Sequence, residues 1–382
     1  MRGSITRRGK HSWRLKFDTG TDAAQGKRRT RYQTFRGTRR DAQIKLAELI
    51  ASEAAGSYVE PSKTTVGEFV ASRIDQWEAS SAISARTAQR YRQLLHNQIK
   101  PALGAKMLQK LRAIDIENWH TALRSGGRAD GNGGVAPRTI GHAHRVLGKA
   151  LRDAAKNDLV TKNVCKMEPA PKVDEEETFI VPDVPTLVAT LPGSRLYVQA
   201  MTALFTGMRL GEVLALRWSR IDLDRKVAQV REALEITKAN GIRFKTPKSK
   251  AGARDITLPD ILVEVLRGHR KAQLELRMKL GLGRLPDDAL LFAGIDGRPM
   301  SPNSISSAWA DYAKAVGIPE VTFHALRHTH ASQLIDAGVD IVTISRRLGH
   351  AKPDITLRVY SHLFQKDDGK ASAAINAAFT AS

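Results

Sequence analysis

Three short segments at the start of the chain roughly alternate apolar with basic residues. They are GSITRRG, SWRLKFD and RTRYQTFR, and the turn-rich stretch DTGTDAAQGK connects the second to the third. A period of two places alternate side chains on opposite faces of a strand. The pattern predicts a three-stranded sheet whose apolar face packs on a following helix, from about Arg39 to Ala54. The other face would be basic, and a basic sheet face can enter a DNA groove.

From about residue 65 the apolar positions recur with helical spacing. The opening TTVGEFVASRIDQWEA predicts a helix with Thr65 as its N-cap, and RTAQRYRQLLHNQIKPALG predicts a helix that stops near Pro101. RAIDIENWHTALRS predicts a third helix. A fourth helix has six apolar residues on one stripe: Ile140, Ala143, Leu147, Ala150, Leu151 and Ala154. This region is therefore expected to form an all-helical domain.

The last part of the chain predicts helices with a short β segment between them. RLYVQAMTALFTGMRLGEVLALRW has the pattern of an apolar helix broken at Thr206-Gly207, with a second helix starting near Arg209. RFKTPKSKAGARDITLP has the pattern of a β-hairpin with Lys248 near its turn. TFHALRHTHASQLIDAG and DIVTISRRLGH are further helices. The second of these ends at Gly349, and Tyr360 lies on the next short helix.

These patterns divide the chain into three domains. The stretch EPAPKVDEEETF contains two prolines and four consecutive acidic residues, which is typical of an exposed linker. We predict a sheet-and-helix domain over residues 1–58, an all-helical domain over 63–168 and a linker over 169–180. A mainly helical domain with a small antiparallel sheet then occupies residues 181–382, including a C-terminal tail.

Charge indicates the partner. The 382 residues carry a formal net charge of +22, which favours a polyanion, with nucleic acid as the first candidate. Residues 1–45 alone contribute +11 and residues 61–170 contribute +9. A solvated basic tail is the alternative for the first segment, and scattered solvated arginines are the alternative for the second. The N-terminal side chains predicted to contact phosphates include Arg7, Arg8, Arg28, Arg29 and Arg31.

Several protein classes are disfavoured. No apolar run approaches the roughly 18 residues of a membrane span. The basic N-terminus lacks the apolar core of a secretory signal. The single cysteine, Cys165, excludes an intramolecular disulfide and a cysteine-based zinc site, and it fits a reducing cytosol. We expect a cytoplasmic protein without a membrane segment.

Six polar residues of the last domain suit attack on a phosphodiester. Paired guanidiniums can hold the non-bridging oxygens and stabilise the pentacoordinate transition state. A tyrosine hydroxyl is a covalent nucleophile, and a mobile lysine can protonate the leaving sugar oxygen. Because cations replace a metal, neither a metal nor a cofactor is expected. The six candidates are Arg209, Lys248, His324, Arg327, His350 and Tyr360.

A zinc site is the alternative for one pair of these histidines. His324 and His328 are four residues apart, which is a spacing that can bind zinc. Zinc proteases place a glutamate directly after the first histidine, whereas residue 325 is alanine. Metal binding is therefore disfavoured.

Four motifs in order resemble those of tyrosine recombinases of the phage integrase family. They are TGMRLGEVLALRW, TPKSKAGARDITL, HALRHTHAS and LGH, the last followed ten residues later by a tyrosine in VYSH. The first domain resembles the arm-type DNA-binding domain of lambda-like integrases, and the second resembles their core-binding domain. The resemblance implies the tyrosine recombinase fold over nearly the whole chain.

By the same resemblance, the six residues acquire roles. Arg209 and Arg327 would be the arginine pair, and Tyr360 the nucleophile. Lys248 would be the hairpin lysine, and Glu212 would match an acidic position that supports the site. The two histidine-type positions would be His324 and His350.

The implied reaction is conservative DNA strand exchange through a 3′-phosphotyrosine, which needs neither ATP nor a metal. The implied partners are double-stranded attachment sites and three further copies of the chain in a homotetramer on synapsed DNA. An excisionase and a DNA-bending host protein are further candidate partners. The process would be the integration or excision of a phage or mobile element in the cytoplasm of a bacterial host.

The chain departs from the family pattern at two places. Gly252 stands where many relatives carry serine, and TKNVCK lacks the usual Asn-Pro. Lys250 also lies close enough to Lys248 to be the alternative lysine. An Xer-type resolvase would lack the basic β domain, and a type IB topoisomerase would not need it. A non-catalytic DNA-binding regulator is the alternative from another class.

Overall fold

The structure is a computed structural model that describes residues 3–21, 28–55, 58–128, 131–173, 182–247, 250–364 and 369–380. The chain divides into two compact units, Met1–Asp174 and Glu175–Ser382. Residues 174–180 of the predicted linker lie outside the described ranges, as does Lys248. The two N-terminal domains predicted from the pattern both fall within the first unit, and their boundaries stay predictions.

The first unit contains a three-stranded sheet followed by helices. Within its described residues the elements are β1 (Gly3–Gly9), β2 (Ser12–Thr21), β3 (Arg28–Arg36), α1 (Arg39–Ala54), α2 (Val66–Ala79), α3 (Ala85–Leu94), α4 (Lys100–Leu103), α5 (Ala113–Gly126) and α6 (Pro137–Lys156).

The sheet is an antiparallel meander in the order β1-β2-β3, as the alternating pattern predicts. Leu15 and Phe17 of β2 are fully buried against Leu46 and Leu49 of α1. Thr38 caps α1 by accepting a hydrogen bond from the backbone N–H of Asp41. Hydrophobic burial of one strand face thus fixes the helix across the sheet.

The opposite face of the sheet is polar and basic. Arg14, Lys16 and Arg36 are exposed there, and the guanidinium of Arg14 lies 5.2 Å from the centre of the Tyr32 ring. Arg31 belongs to the other face, because it is paired across the strands with the buried Phe17, and it forms an ion pair with Glu60. The side chains of Arg28 and Arg29 lie outside the described part of the chain.

The helical part of the first unit follows the predicted periodicity, with one correction. Thr65 caps α2 as expected, and all six residues of the predicted stripe on α6 are buried. The helix expected to stop near Pro101 ends two residues later, at Leu103, but it contains a π-helical turn that the periodicity did not predict. This turn, Leu95–Ile99, runs directly into α4, whose second residue is Pro101.

The second unit is mainly helical with small antiparallel sheets. Its described elements are α7 (Val184–Thr190), α8 (Tyr197–Thr206), α9 (Leu210–Val213), β4 (Ile221–Asp222), β5 (Val227–Val230), β6 (Ala233–Thr237), β7 (Gly241–Lys245), β8 (Arg254–Thr257), α10 (Asp260–Lys279), α11 (Pro302–Ala315), α12 (Ala325–Asp336), α13 (Ile341–Leu348), α14 (Pro353–Tyr360) and α15 (Gly369–Thr380).

The break between α8 and α9 occurs where the sequence predicts it. Gly207 ends α8 in the left-handed conformation, with φ of 67°, and Arg209 precedes the first turn of α9. A Cβ at residue 207 would come within 2.6 Å of the His330 ring, so the position needs glycine for space as well as for backbone conformation.

The predicted hairpin around Lys248 is wrong. Strands are present on both sides of the lysine, but they do not pair with each other. β7 pairs with β6, whereas β8 pairs with β5 in a separate sheet ordered β4-β5-β8. Strand partners depend on the path of the whole chain, and the local alternation that predicts a strand does not name its neighbour.

The helices of the described residues lack the combination of length and hydropathy that a bilayer crossing requires.

Candidate active site

Arg209 is held at the start of α9 by Glu212. One carboxylate oxygen of Glu212 accepts the backbone N–H of Arg209 at 3.0 Å, and the other accepts from Arg209 Nη1 at 3.0 Å. Glu212 also binds Arg254 Nη2 at 2.9 Å, and both of these side chains are buried. Burial alone would raise the pKa of Glu212, but Arg254 and Arg209 outweigh it and keep the pKa below its usual range.

Arg327 of α12 is anchored by two helix ends. Its Nη1 donates to the carbonyl of Gly207 at 2.6 Å, and its Nη2 donates to the carbonyl of Leu348 at 2.8 Å. These carbonyls belong to the C-termini of α8 and α13, where unsatisfied oxygens favour a cation. Burial, followed by the charge of Arg209, lowers the pKa of Arg327 to about 9, so the guanidinium is still charged at neutral pH.

His350 lies just past the end of α13, and its tautomer follows from its neighbours. Its Nε2 is 2.9 Å from Arg327 Nη2, and arginine has no acceptor, so Nε2 accepts. The proton is therefore on Nδ1, which donates to the Thr356 hydroxyl at 2.7 Å. Burial and the nearby guanidiniums, Arg327 first, lower the pKa of His350 to about 4, so the ring is neutral.

Tyr360 ends α14, and its side chain is only 1 % exposed. Its hydroxyl lies 2.9 Å from Nδ1 of His328. Burial raises the pKa of Tyr360 to about 12, although the charges of Arg327 and Arg209 act in the opposite direction. The ring packs in a cluster with Ala331, Ile335, Ile344 and Leu348.

His324 stands at the start of α12, beside the same residues. Its ring meets that of His328 edge-to-face, with 4.9 Å between the ring centres. Loss of hydration, then the charges around it, including Arg327 and Arg209, lower the pKa of His324 to about 4. The residue as a whole is exposed, although the imidazole itself has lost enough hydration to disfavour protonation.

The structure therefore brings together five of the six residues predicted from the sequence. Arg209, Arg327, His324, His350 and Tyr360 act electrostatically on one another or share hydrogen bonds. The sixth, Lys248, lies outside the described residues, whereas its neighbour Lys250 opens the short 3₁₀ turn Lys250–Gly252. In the ranges that the structure covers, no three His, Cys, Asp or Glu side chains are arranged to hold a metal ion.

Two residues of the site were not given a role by sequence reasoning. His328, considered only as half of a zinc pair, contacts the tyrosine hydroxyl. Arg254 binds Glu212, Gly252 and Arg347 from within a buried strand. The position of His328, one turn after His324, was a usable signal because residues four apart share a helix face. No local signal links Arg254 to a carboxylate 42 residues away.

Comparisons with known proteins agree with this geometry. The family model described as "Phage integrase family" matches residues 182–367, and the model "Phage integrase, N-terminal SAM-like domain" matches residues 70–124. A protein named "Tyrosine recombinase XerC-like" from Caldanaerobacter subterraneus subsp. tengcongensis is 26% identical, and the match covers 98% of this chain and 98% of the relative.

A prophage protein and a solved structure give the same result. The "Putative prophage phiRv2 integrase" of Mycobacterium tuberculosis is 27% identical, and the match covers 78% of this chain and 76% of that protein. The Tn1549 transposon integrase, solved with a circular intermediate DNA, has the same fold. Its TM-score is 0.66 at 20% identity, covering 82% of this chain and 99% of that one.

The matching family models and relatives identify a site-specific DNA recombinase. The chain belongs to the phage integrase family of tyrosine recombinases. The fold class expected from the sequence is thereby confirmed: mainly helical, with small antiparallel sheets and an N-terminal three-stranded sheet.

Proposed function

We propose that this chain is an integrase that cuts and rejoins duplex DNA with Tyr360 as the nucleophile. The observation that carries the proposal is the convergence of a tyrosine hydroxyl and two arginines, one of them buried, within a family whose members recombine DNA. The tyrosine oxygen attacks the scissile phosphorus, a 3′-phosphotyrosine forms and a 5′-hydroxyl leaves.

The arginines hold the phosphate. Arg327 is fixed by the carbonyls of Gly207 and Leu348, so its remaining N–H groups are oriented before DNA arrives. Arg209 is tied by Glu212 through one edge of its fork and remains partly exposed, which leaves donors for a non-bridging oxygen. His350 supports Arg327 by accepting from it, and His324 is an exposed residue at the start of α12.

A lysine protonates the leaving 5′-oxygen. The segment between β7 and β8 carries two candidates, Lys248 and Lys250. The backbone of this segment is tied to the site at one end, because the carbonyl of Gly252 accepts from Arg254 Nη1 at 3.1 Å. Both lysines therefore remain candidates for the general acid.

The substrates are two double-stranded attachment sites, and the active assembly is a homotetramer. Strand exchange between two duplexes requires four cleavages, and each chain supplies one tyrosine nucleophile. The prophage and transposon integrases among the similar proteins favour integration or excision of a mobile element in the cytoplasm of a bacterial host. An excisionase and a DNA-bending host protein are candidate partners.

The N-terminal sheet is the best candidate for a second DNA contact. Its face away from α1 exposes Arg14, Lys16 and Arg36, with Tyr32 among them. The opposite face is used for packing on the helix, so the basic face is available for phosphates or a groove. We therefore assign residues 1–58 to arm-type DNA binding and residues 63–168 to core-site binding.

A nicked suicide duplex tests the cleavage reaction. When the wild-type protein cuts such a duplex, a short strand diffuses away and the covalent protein–DNA adduct accumulates on a denaturing gel. Tyr360→Phe removes the nucleophilic oxygen and leaves the cations in place, so we expect no adduct and unchanged DNA binding in a mobility-shift assay.

The same assay separates the alternatives. A covalent adduct formed by Tyr360→Phe would show that another residue attacks. Sequence-specific binding by the wild type with no adduct on any nicked core site would instead support a non-catalytic DNA-binding regulator.

A further inference from the structure

The proton of the nucleophile needs an acceptor. Tyr360 must lose its hydroxyl proton before or during its attack on phosphorus, yet the tyrosine is buried and its pKa is about 12. At neutral pH about one hydroxyl in 10⁵ would be ionised at that pKa, since each unit is a factor of ten. A base within hydrogen-bond distance of the hydroxyl is therefore required if the proton leaves during attack.

His328 has the geometry of that base. Its Nδ1 lies 2.9 Å from the Tyr360 oxygen, and the ring centres are 5.7 Å apart. The imidazole is half-buried, and the perpendicular ring of His324 packs against it with 4.9 Å between the ring centres. A neutral imidazole carries one acceptor nitrogen, to which a phenol O–H can donate.

Two other histidines among the described residues of the site are already committed. His350 accepts from Arg327 with Nε2 and donates to Thr356 with Nδ1. His330 accepts from Arg347 and donates to the carbonyl of Leu204. Each of these rings therefore has both nitrogens in use.

The nearby carboxylate is also committed, because the oxygens of Glu212 are bound by Arg209 and Arg254. His324 packs its ring against that of His328, and the nitrogen beside the tyrosine hydroxyl belongs to His328.

We propose that His328 is the general base of strand cleavage and accepts the Tyr360 proton on Nδ1. The O–H bond of Tyr360 breaks as its oxygen forms a bond to phosphorus. The bond between phosphorus and the 5′-oxygen breaks, and the 5′-oxygen takes a proton from the lysine. In the rejoining step the 5′-hydroxyl returns its proton to the lysine as its oxygen attacks phosphorus, and the phenolate leaves and recovers its proton from His328.

This role rests on the proposed cleavage by Tyr360 and adds a residue to it. The resemblance to the family points to His324 and His350 as the histidine positions, whereas the hydroxyl lies 2.9 Å from Nδ1 of His328. His328 would take the proton from the nucleophile, and the lysine would give a proton to the leaving 5′-oxygen. Variants of the two residues should therefore respond differently when the nucleophile or the leaving group is changed.

The test uses the full-length protein and single-turnover cleavage of the nicked duplex. His328→Asn places an amide close to the position of Nδ1, so it keeps a hydrogen-bonding group beside Tyr360 but cannot take up a proton. We expect cleavage to slow by about 10²–10⁴-fold, the usual contribution of a general base. His269→Asn is the matched control, because His269 is a half-buried histidine of the same unit that binds the Leu291 carbonyl. It should cleave at the wild-type rate.

Chemical rescue distinguishes a base from a residue that only positions the tyrosine. A difluorotyrosine at position 360 ionises more readily and depends less on a base. It should raise the cleavage rate of His328→Asn by at least about tenfold relative to the same variant with tyrosine at position 360. A 5′-phosphorothiolate duplex, whose leaving group needs no proton, should rescue Lys248→Ala or Lys250→Ala but not His328→Asn.

Three outcomes would overturn the role of His328. They are wild-type cleavage by His328→Asn, no response of its rate to difluorotyrosine, and rescue of its rate by the phosphorothiolate. Mobility shifts and thermal denaturation of the variant identify a folding defect, and His328→Gln then provides a second replacement that cannot accept the proton. Absence of adduct with the wild-type protein would count against the proposed function itself.

Discussion

At the residue scale, Arg254 connects three parts of the site. Its guanidinium binds the Glu212 carboxylate, the carbonyl of Gly252 and the carbonyl of Arg347. Through Glu212 it sets the position of Arg209, and through Arg347 it holds the last turn of α13 ahead of His350. A buried ion pair of this kind contributes little net stability, but removing one partner leaves an uncompensated charge.

We expect Arg254→Met to destabilise the protein by about 3–5 kcal/mol, because the charge of Glu212 stays buried without its partner. Cleavage should also fall, since Arg209 loses a rigid support. The double variant Arg254→Met with Glu212→Gln removes the unpaired charge and should recover part of the lost stability. Urea denaturation of the four proteins in this cycle measures the coupling. Strictly additive losses would show that the pair is not coupled.

At the element scale, two helix ends build the anchor of Arg327. α8 ends at Gly207 and α13 ends at Gly349, and both glycines have left-handed backbones, with φ of 67° and 70°. Left-handed termination turns the chain sharply, so a carbonyl at each end points at the same guanidinium. The guanidinium of Arg254 also packs against Gly349, where a Cβ would lie 2.7 Å from its Nη1.

Gly349→Ala should therefore impair the site as well as lower the stability of the protein. It incurs the left-handed penalty of about 1–2 kcal/mol and also displaces Arg254. Gly338→Ala, after α12, is the matched control, because its φ is 74° and a Cβ there meets nothing within 4 Å. We expect similar backbone costs in both variants but a loss of cleavage only in Gly349→Ala. Thermal denaturation and single-turnover cleavage provide the comparison. Equal cleavage rates in both variants would contradict a role for this contact.

At the scale of the whole molecule, positive charge is concentrated far from the catalytic residues in sequence. Residues 1–45 carry a net charge of +11, whereas residues 171–382 carry only +5. Each phosphate contact that a cation makes steepens the salt dependence of DNA binding by about 0.9 in the log-log slope. The sheet face and the catalytic unit should therefore affect affinity and chemistry separately.

We expect neutralising the basic sheet face with Arg14→Gln, Lys16→Gln and Arg36→Gln to leave cleavage of a short core-site duplex unchanged. On long attachment-site DNA, the slope of the logarithm of the binding constant against the logarithm of the salt concentration should flatten by up to about 2.7, which is about 0.9 for each of the three cations. Footprints outside the core should disappear. The control removes the same charge from exposed positions of the other unit: Lys279, Arg284 and Lys314. Equal effects of both triple variants, with no lost footprint, would indicate a generic basic tail.

The sequence alone determined the elements and most of the chemistry. Helical and strand periodicities are local, so α1, the buried stripe of α6 and the break at Gly207 could be predicted from neighbouring residues. The motif order likewise predicted a site of Arg209, Arg327, His324, His350 and Tyr360, and these five residues lie together in the structure. The π turn at Leu95–Ile99 was missed, since such a turn leaves no simple signature in the pattern.

Only the tertiary structure decided which distant groups meet. β7 and β8 have strand patterns, yet each pairs with another strand, because hydrogen-bond partners follow from the path of the chain. Arg254 reaches Glu212 across 42 residues, and His328 reaches the Tyr360 hydroxyl across 32. Local patterns specify which face of a helix or strand is buried. The packing of those faces brings a histidine to a tyrosine hydroxyl, or an arginine to a carboxylate.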